Sequence, residues 1–212
     1  MAEHNLGKIH VYTGNNKGKT TTALGVAIRA YGQNMKVCII QFLKGGAYTG
    51  EFITIRNRLP GMEIYQYGKP CIKEREQLSL DKFDTGTETE AFKDISHIRE
   101  DIICGYCRYC FLADAEEKKQ VELAFEHAKK VLSDDQFHIV IFDEINNCFE
   151  KGLLSIKDLR ELLDLKPSKM ELIFTGRGAP PELIEYADLV TEMNQIKHYF
   201  DKGVSARRGI EY

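Results

Sequence analysis

The sequence lacks any apolar run approaching the roughly 20 residues that a membrane-spanning helix needs. Its first seven residues contain no apolar segment of the kind that directs secretion. It also lacks an excess of positive charge, because 29 lysines and arginines are set against 32 aspartates and glutamates, for a formal net charge of −3. We therefore expect a cytoplasmic protein that neither spans a membrane nor binds nucleic acid through a basic surface.

The spacing of the apolar residues predicts an α/β protein. Short apolar runs, as in buried strands, alternate with longer segments in which apolar residues recur at helical spacing. This alternation favours a mainly parallel sheet flanked by helices, and a chain of 212 residues is long enough for a single domain, residues 1–212, with an inserted element. The predicted strands are residues 9–12, 37–42, 62–67, 138–142, 171–174 and a last one near 187–193.

The segment after the first predicted strand has the composition of a phosphate-binding loop that opens a helix. Glycines let the backbone amides curl round an anion, and the helix N-terminus adds its dipole. In this pattern Lys19 is expected to reach the phosphates and the Thr20 hydroxyl to hold Mg²⁺. The spacing is one residue shorter than in the common motif, and the alternative is an ordinary glycine-rich turn. The predicted phosphate-binding residues are Gly14, Asn15, Asn16, Lys17, Gly18, Lys19, Thr20, Thr21 and Thr22.

An acidic pair, Asp143 and Glu144, follows the apolar run 139–142. Ligands of parallel sheets bind at the carboxyl ends of the strands, so this pair should lie near the glycine-rich loop. One of the two carboxylates is expected to bind Mg²⁺ directly or through water, together with Thr20. The alternative is a solvated pair at a strand end, without a metal.

Further segments resemble one enzyme family. They are residues 41–45 (QFLKG), 175–178 (TGRG), 187–192 (ADLVTE), 197–206 (KHYFDKGVSA) and 209–212 (GIEY). Together with the short phosphate loop and the acidic pair, and in the same order, they resemble the ATP:corrinoid adenosyltransferases of the CobA/BtuR type. The resemblance covers residues 8–67 and 120–212.

The resemblance implies a recombinase-like P-loop fold, a homodimer, and ATP with Mg²⁺ at the loop. In the family's reaction a Co(I) corrinoid attacks C5′ of ATP and expels triphosphate. Cobalt is then the nucleophile, so no protein nucleophile is required. The residues that would carry catalysis are Lys19, Thr20 and Glu144. Further nucleotide or corrinoid contacts are expected from Arg177, Glu192, Lys197 and His198. A surface role for Arg177 and a core role for His198 are the alternatives.

The sequence departs from the family in three places. Asn16 stands where members commonly have glycine, only seven residues precede the segment that resembles the family, and the chain contains no tryptophan. The best-known bacterial members have a Phe-x-Trp segment after the third strand that helps displace the lower ligand of cobalt. Residues 67–71 here read YGKPC instead.

A cysteine-containing insertion is predicted at about residues 68–115, which are polar and lack regular periodicity. Cys104, Cys107 and Cys110 have C-x₂-C-x₂-C spacing, which resembles that of three ligands of a ferredoxin cluster. With Cys71 as a fourth thiolate the set also suits zinc, and free thiols are the remaining alternative. His97 is a weak substitute ligand. A cluster here would deliver the electron that makes Co(I), with a reductase or flavoprotein as donor. The candidate ligands are Cys71, Cys104, Cys107 and Cys110, whereas Cys38 and Cys148 are expected in the core.

Two other functions fit parts of the sequence. An ordinary P-loop ATPase or phosphotransferase would release ADP, and the family-specific end of the chain counts against it. An ATP-gated corrinoid carrier or electron-transfer protein would bind the corrinoid without adenosylating it.

Overall fold

A six-stranded parallel sheet forms the centre of the computed structural model, which describes residues 6–46, 49–69 and 114–211. The strand order is β3-β2-β4-β5-β1-β6, and each neighbouring pair is parallel. The predicted α/β class and the strand positions are confirmed. The strands are β1 Ile9–Thr13, β2 Val37–Phe42, β3 Met62–Tyr67, β4 Ile139–Asp143, β5 Glu171–Thr175 and β6 Leu189–Glu192.

Helices connect these strands. Asp114 caps the helix that follows it, since its side chain accepts a hydrogen bond from the Glu117 backbone amide at 3.0 Å. Ser155 and Asp158 form a capping box at the start of a later helix. The helices are α1 Lys19–Tyr31, α2 Gly50–Arg58, α3 Ala115–Asp134, α4 Ile145–Glu150, α5 Ile156–Leu165, α6 Pro181–Tyr186 and a 3₁₀ turn at Tyr199–Lys202.

The sheet separates two apolar layers, as the alternation of strand side chains dictates. On one face, Val140 and Phe142 pack against α3 and α5, and on the other Ile139 and Ile141 pack against α1 and α2. Phe142 contacts an aromatic ring on each neighbouring strand edge to face, with centroid distances of 6.3 Å to Phe42 and 5.6 Å to Phe174. These layers fix the carboxyl ends of β1, β2, β4 and β5 at one edge.

The predicted cysteine insertion falls mostly outside the described residues. Cys71, Cys104, Cys107, Cys110 and His97 all lie in residues 70–113, which the structure does not describe. The described residues at its two ends are joined, because the buried ammonium of Lys69 contacts the Asp114 carboxylate at 2.9 Å.

The two described cysteines belong to the core, as predicted. Cys38 and Cys148 are fully buried free thiols, and burial raises the pKa of each. Within the described ranges, every helix is too short or too polar to cross a lipid bilayer.

Gly45 and Gly68 let the ends of β2 and β3 approach closely, and this contact predicts an effect on stability. A Cβ at Gly45 would lie 2.2 Å from the Gly68 carbonyl oxygen, whereas a Cβ at Gly25, in α1, would meet nothing within 4 Å. We expect Gly45→Ala to lower the free energy of unfolding by about 1–3 kcal/mol, and Gly25→Ala to raise it by up to about 1 kcal/mol. Urea denaturation measures both. Equal effects of the two substitutions would contradict the close contact.

Candidate active site

A cleft of about 980 Å³ opens at the carboxyl edge of the sheet. Open parallel sheets bind ligands at this edge, and the cleft is at the upper end of the usual size for small-molecule sites. Most of the residues predicted to bind a ligand border it. The lining includes residues 15–21, 43–46 and 49–51, Gln66, Lys69, Glu144, Asn147, Glu150, Lys151, Arg177, Gln195, His198, Phe200, Asp201 and residues 209–211.

The loop of residues 14–18, called the glycine loop below, joins β1 to α1. Gly14 has φ 95°, and a Cβ there would lie 2.7 Å from the Met193 carbonyl oxygen, so a side chain cannot be accommodated. Asn16, which stands where members of the family commonly have glycine, is not among the described residues with positive φ. Its side-chain amide instead donates to the Met193 carbonyl at 3.4 Å. The loop therefore does not need glycine at position 16.

Lys19 places its ammonium group inside this loop. The side chain is nearly buried, and the ammonium donates to the carbonyls of Gly14 at 2.8 Å and Asn16 at 2.7 Å. Burial lowers the pKa of Lys19, and the charge of Glu144 partly opposes that effect. The lysine thus presents a desolvated positive charge at the mouth of the loop.

Asp143 accepts four hydrogen bonds and is almost completely buried. Its Oδ1 accepts from the hydroxyls of Thr20 at 2.8 Å and Thr175 at 2.6 Å. Its Oδ2 accepts from Gln41 Nε2 at 2.9 Å and Lys44 Nζ at 2.7 Å. Burial alone would raise the pKa of Asp143, but the Lys44 charge and these hydrogen bonds hold it below its ordinary value.

Glu144 differs from its neighbour in both backbone and electrostatics. Its φ of 64° is unusual for a residue with a side chain, and its amide donates to the Thr175 hydroxyl at 3.0 Å. The carboxylate borders the cleft and accepts from the Asn147 side-chain amide at 2.5 Å. Burial, followed by the charge of Asp143, raises the pKa of Glu144.

The residues at the cleft fit a magnesium ion that takes most of its ligands from a substrate bound to the protein. No group of three or more His, Cys, Asp or Glu side chains in the described ranges is arranged to hold a metal. Mg²⁺ commonly takes only one or two protein ligands and completes its shell with phosphate and water oxygens. Thr20 and Glu144 border the cleft, and their oxygens suit the role of these protein ligands. The acceptor positions of Asp143, in contrast, are already used by four hydrogen bonds.

Some of the other residues predicted to contact a ligand line the cleft, and others do not. Arg177 and His198 line the cleft, whereas Glu192, at the end of β6, and the exposed Lys197 are outside its lining. His198 is not a core histidine, because it is only half-buried and borders the cleft. Its Nδ1 accepts from the Phe200 amide at 3.0 Å and so caps the 3₁₀ turn. Of the residues predicted to bind phosphate, Gly14 and Thr22 do not line the cleft. The Thr22 amide donates to the Gly18 carbonyl in the first turn of α1.

Sequence reasoning missed Asn147 and Thr175. Asn147 links two cleft residues, since its amide nitrogen donates to Glu144 and its Oδ1 accepts from the Arg177 backbone amide at 2.5 Å. Thr175 links Asp143 to the Glu144 amide. Their signals were weak, namely an amide side chain just after the acidic pair and a threonine ending a buried strand.

Comparison with known proteins points to one enzyme family. The sequence model of the family described as "ATP:corrinoid adenosyltransferase BtuR/CobO/CobP" matches residues 5–104 and 82–212. A corrinoid adenosyltransferase of Pseudomonas aeruginosa is 31% identical over 212 residues, covering 100% of this chain and 87% of that protein. One from Escherichia coli K12 is 32% identical over 214 residues, covering 100% and 89% respectively. Corrinoid adenosyltransferase CobA of Salmonella typhimurium is 31% identical with the same coverage.

The Asn147 bridge predicts a defect in nucleotide binding. Asn147→Ala should free the Glu144 carboxylate and the Arg177 loop together, and we expect Mg²⁺-dependent ATP binding to weaken by about 10–100-fold. Asn147→Asp keeps the acceptor for the Arg177 amide but places a second charge beside Glu144, so it should weaken binding at least as much. Titration calorimetry with ATP, with and without Mg²⁺, measures this. Unchanged affinity in both variants would show that the bridge has no such role.

Proposed function

Because the chain belongs to the ATP:corrinoid adenosyltransferase family, we propose that the cleft at the carboxyl edge of its sheet is where it carries out adenosyl transfer. The enzyme transfers the adenosyl group of ATP to a corrinoid, and it thereby serves the synthesis or salvage of adenosylcobalamin. The observation that carries the assignment of the site is that Lys19, Thr20 and Glu144 all border one cleft beside the glycine loop.

The proposed reaction is a displacement at carbon. The Co(I) centre of the corrinoid substrate supplies the electron pair that forms the Co–C5′ bond. The bond between C5′ and its oxygen breaks, and its electron pair leaves with triphosphate. No proton has to be removed from the nucleophile, so a general base is not needed. The protein's tasks are to hold the two substrates in line and to stabilise the leaving group.

Triphosphate stabilisation is assigned to the glycine loop and Lys19. Backbone amides of the loop and the N-terminus of α1 favour an anion, and Lys19 adds a charge with little surrounding water. A phosphate near Lys19 would restore the proton affinity that burial has reduced. Arg177 borders the same cleft, and we propose it as a further phosphate contact.

We propose Thr20 and Glu144 as the protein ligands of Mg²⁺. When bound, the ion would neutralise charge on the phosphate oxygens of ATP. Asp143, the other carboxylate of the pair predicted to bind the metal, is better suited to orient Thr20, because it accepts the Thr20 hydroxyl hydrogen and leaves the oxygen lone pairs available. Glu144 must be ionised to bind a cation, and its raised pKa makes Mg²⁺ affinity fall with decreasing pH sooner than for an ordinary glutamate.

Several sequence-based assignments stay proposals. Glu192 ends the last strand, and Lys197 and His198 follow it. Of these three residues His198 has the best support, because it borders the cleft. A homodimeric assembly and a reductase or flavoprotein that supplies the electron are proposed from the family resemblance and the reaction's need for Co(I).

The assay is anaerobic incubation of the protein with ATP, Mg²⁺ and chemically reduced Co(I) corrinoid. We expect a light-sensitive adenosyl-corrinoid and one triphosphate for each corrinoid converted. Glu144→Gln should lower kcat/KM for ATP by about 100-fold and weaken Mg²⁺ saturation. Glu185→Gln, which removes the same charge from the exposed face of α6, should change neither. Release of ADP without adenosylation would favour a phosphohydrolase, and bound but unreacted corrinoid would favour a carrier.

We propose that Cys71, Cys104, Cys107 and Cys110 bind one metal centre, either an iron–sulfur cluster or zinc. Support comes from the cysteine spacing and from the Lys69–Asp114 contact, which joins the two ends of the segment. Metal and sulfide analysis of anaerobically purified protein should find iron with sulfide or one zinc, and Cys107→Ser should lose it. With a reduced flavoprotein supplying electrons, a cluster should also let the wild type, but not the variant, reduce a Co(II) corrinoid to Co(I) and adenosylate it. Metal-free protein would contradict the proposal.

A further inference from the structure

The last described segment, residues 198–211 and called the tail below, is attached to the glycine loop through Lys17. The Lys17 ammonium donates to the Tyr199 hydroxyl at 2.9 Å, the Ile210 carbonyl at 3.2 Å and the Glu211 carboxylate at 2.5 Å. An ammonium group has three N–H donors, and all three of these contacts are in the tail. Lys17, predicted from the sequence as a phosphate contact, is therefore placed as an attachment point.

Glu211 organises the tail end of this attachment. Its carboxylate accepts from the Tyr199 hydroxyl, from the Arg207 amide at 2.6 Å and from the Arg207 side chain at 3.2 Å, besides Lys17. The Arg207 guanidinium lies over the Tyr199 ring, 4.6 Å from its centroid. Arg207, Lys17 and Tyr199 hold the pKa of Glu211 well below its usual value, so the carboxylate stays charged at neutral pH.

The tail supplies apolar side chains to a cleft whose loop side is polar. Phe200 and Ile210 border the cleft and yet are 69% and 59% exposed. ATP presents charge to the glycine loop, whereas a corrin ring presents broad, largely apolar faces. Apolar side chains left exposed beside a binding site gain from covering such a surface.

We propose that Glu211 is a positioning residue, which fastens the tail to the glycine loop so that Phe200 and Ile210 pack against the corrinoid macrocycle beside ATP. This inference rests on the proposed function of the cleft. The loop then sets the position of the triphosphate and, through Lys17, the position of the surface that holds the nucleophile. The glycine loop and the tail attached to it then fix the distance between cobalt and C5′ together.

The test removes the charge of Glu211 and keeps its shape. In Glu211→Gln we expect amide exchange of residues 199–211 to accelerate by about tenfold or more, because the contact to Lys17 loses its charge. The dissociation constant of cob(II)alamin, which ATP does not adenosylate, should rise about tenfold in ultrafiltration with Mg²⁺ and ATP present, while that of ATP changes less than about threefold. Glu185→Gln is the control and should leave all three quantities unchanged.

A second pair of variants separates the attachment from the packing surface. Phe200→Ala and Ile210→Ala leave the ionic contacts intact, so they should weaken cob(II)alamin binding without accelerating amide exchange. Faster exchange in Glu211→Gln with unchanged cob(II)alamin binding would overturn the proposal, as would an equal loss of ATP affinity. Binding and exchange need no turnover, so they test the tail even if the adenosylation assay of the wild type were negative.

Discussion

The buried carboxylate of Asp143 is the constraint on which the rest of the site depends. It joins the end of β4 to β2 through Gln41, to β5 through Thr175 and to the first turn of α1 through Thr20. Lys44 adds the positive charge that makes the burial of this carboxylate tolerable. Taking one partner from such a pair commonly costs about 3–5 kcal/mol. The start of α1, and with it the glycine loop, is thereby fixed relative to the acidic pair.

The two adjacent acids have opposite electrostatic consequences. The lowered pKa of Asp143 means that its charge adds stability above the pKa of the unfolded chain, and this stability is lost as pH falls through the folded pKa. The raised pKa of Glu144 means that the folded protein favours the protonated form of this residue. The stability that the protonated form contributes is lost as pH rises through the raised pKa. When Glu144 is ionised, its charge is thus a local cost that a bound cation would relieve.

Local patterns in the sequence predicted the strands and the positions of Lys19, Thr20 and Glu144. These features follow from apolar periodicity and from the meeting of parallel strand ends at one edge. Helices α2 and α4 were not predicted, and α4, with six residues, is too short to show a helical period. The contact between Lys17 and Glu211 spans 194 positions, and no local pattern encodes such a contact.

Lys17 shows how a motif residue can be redirected by the fold around it. A lysine between Asn16 and Gly18 looks like a phosphate ligand, yet its ammonium contacts a carboxylate, a hydroxyl and a carbonyl of the tail. For an enzyme whose nucleophile arrives with a second substrate, alignment of two bound molecules contributes more than acid–base groups would. On the proposed function, a glycine loop that binds phosphate and also holds the neighbouring wall of the cleft would provide that alignment, because both substrates would then be positioned from the same short segment of backbone.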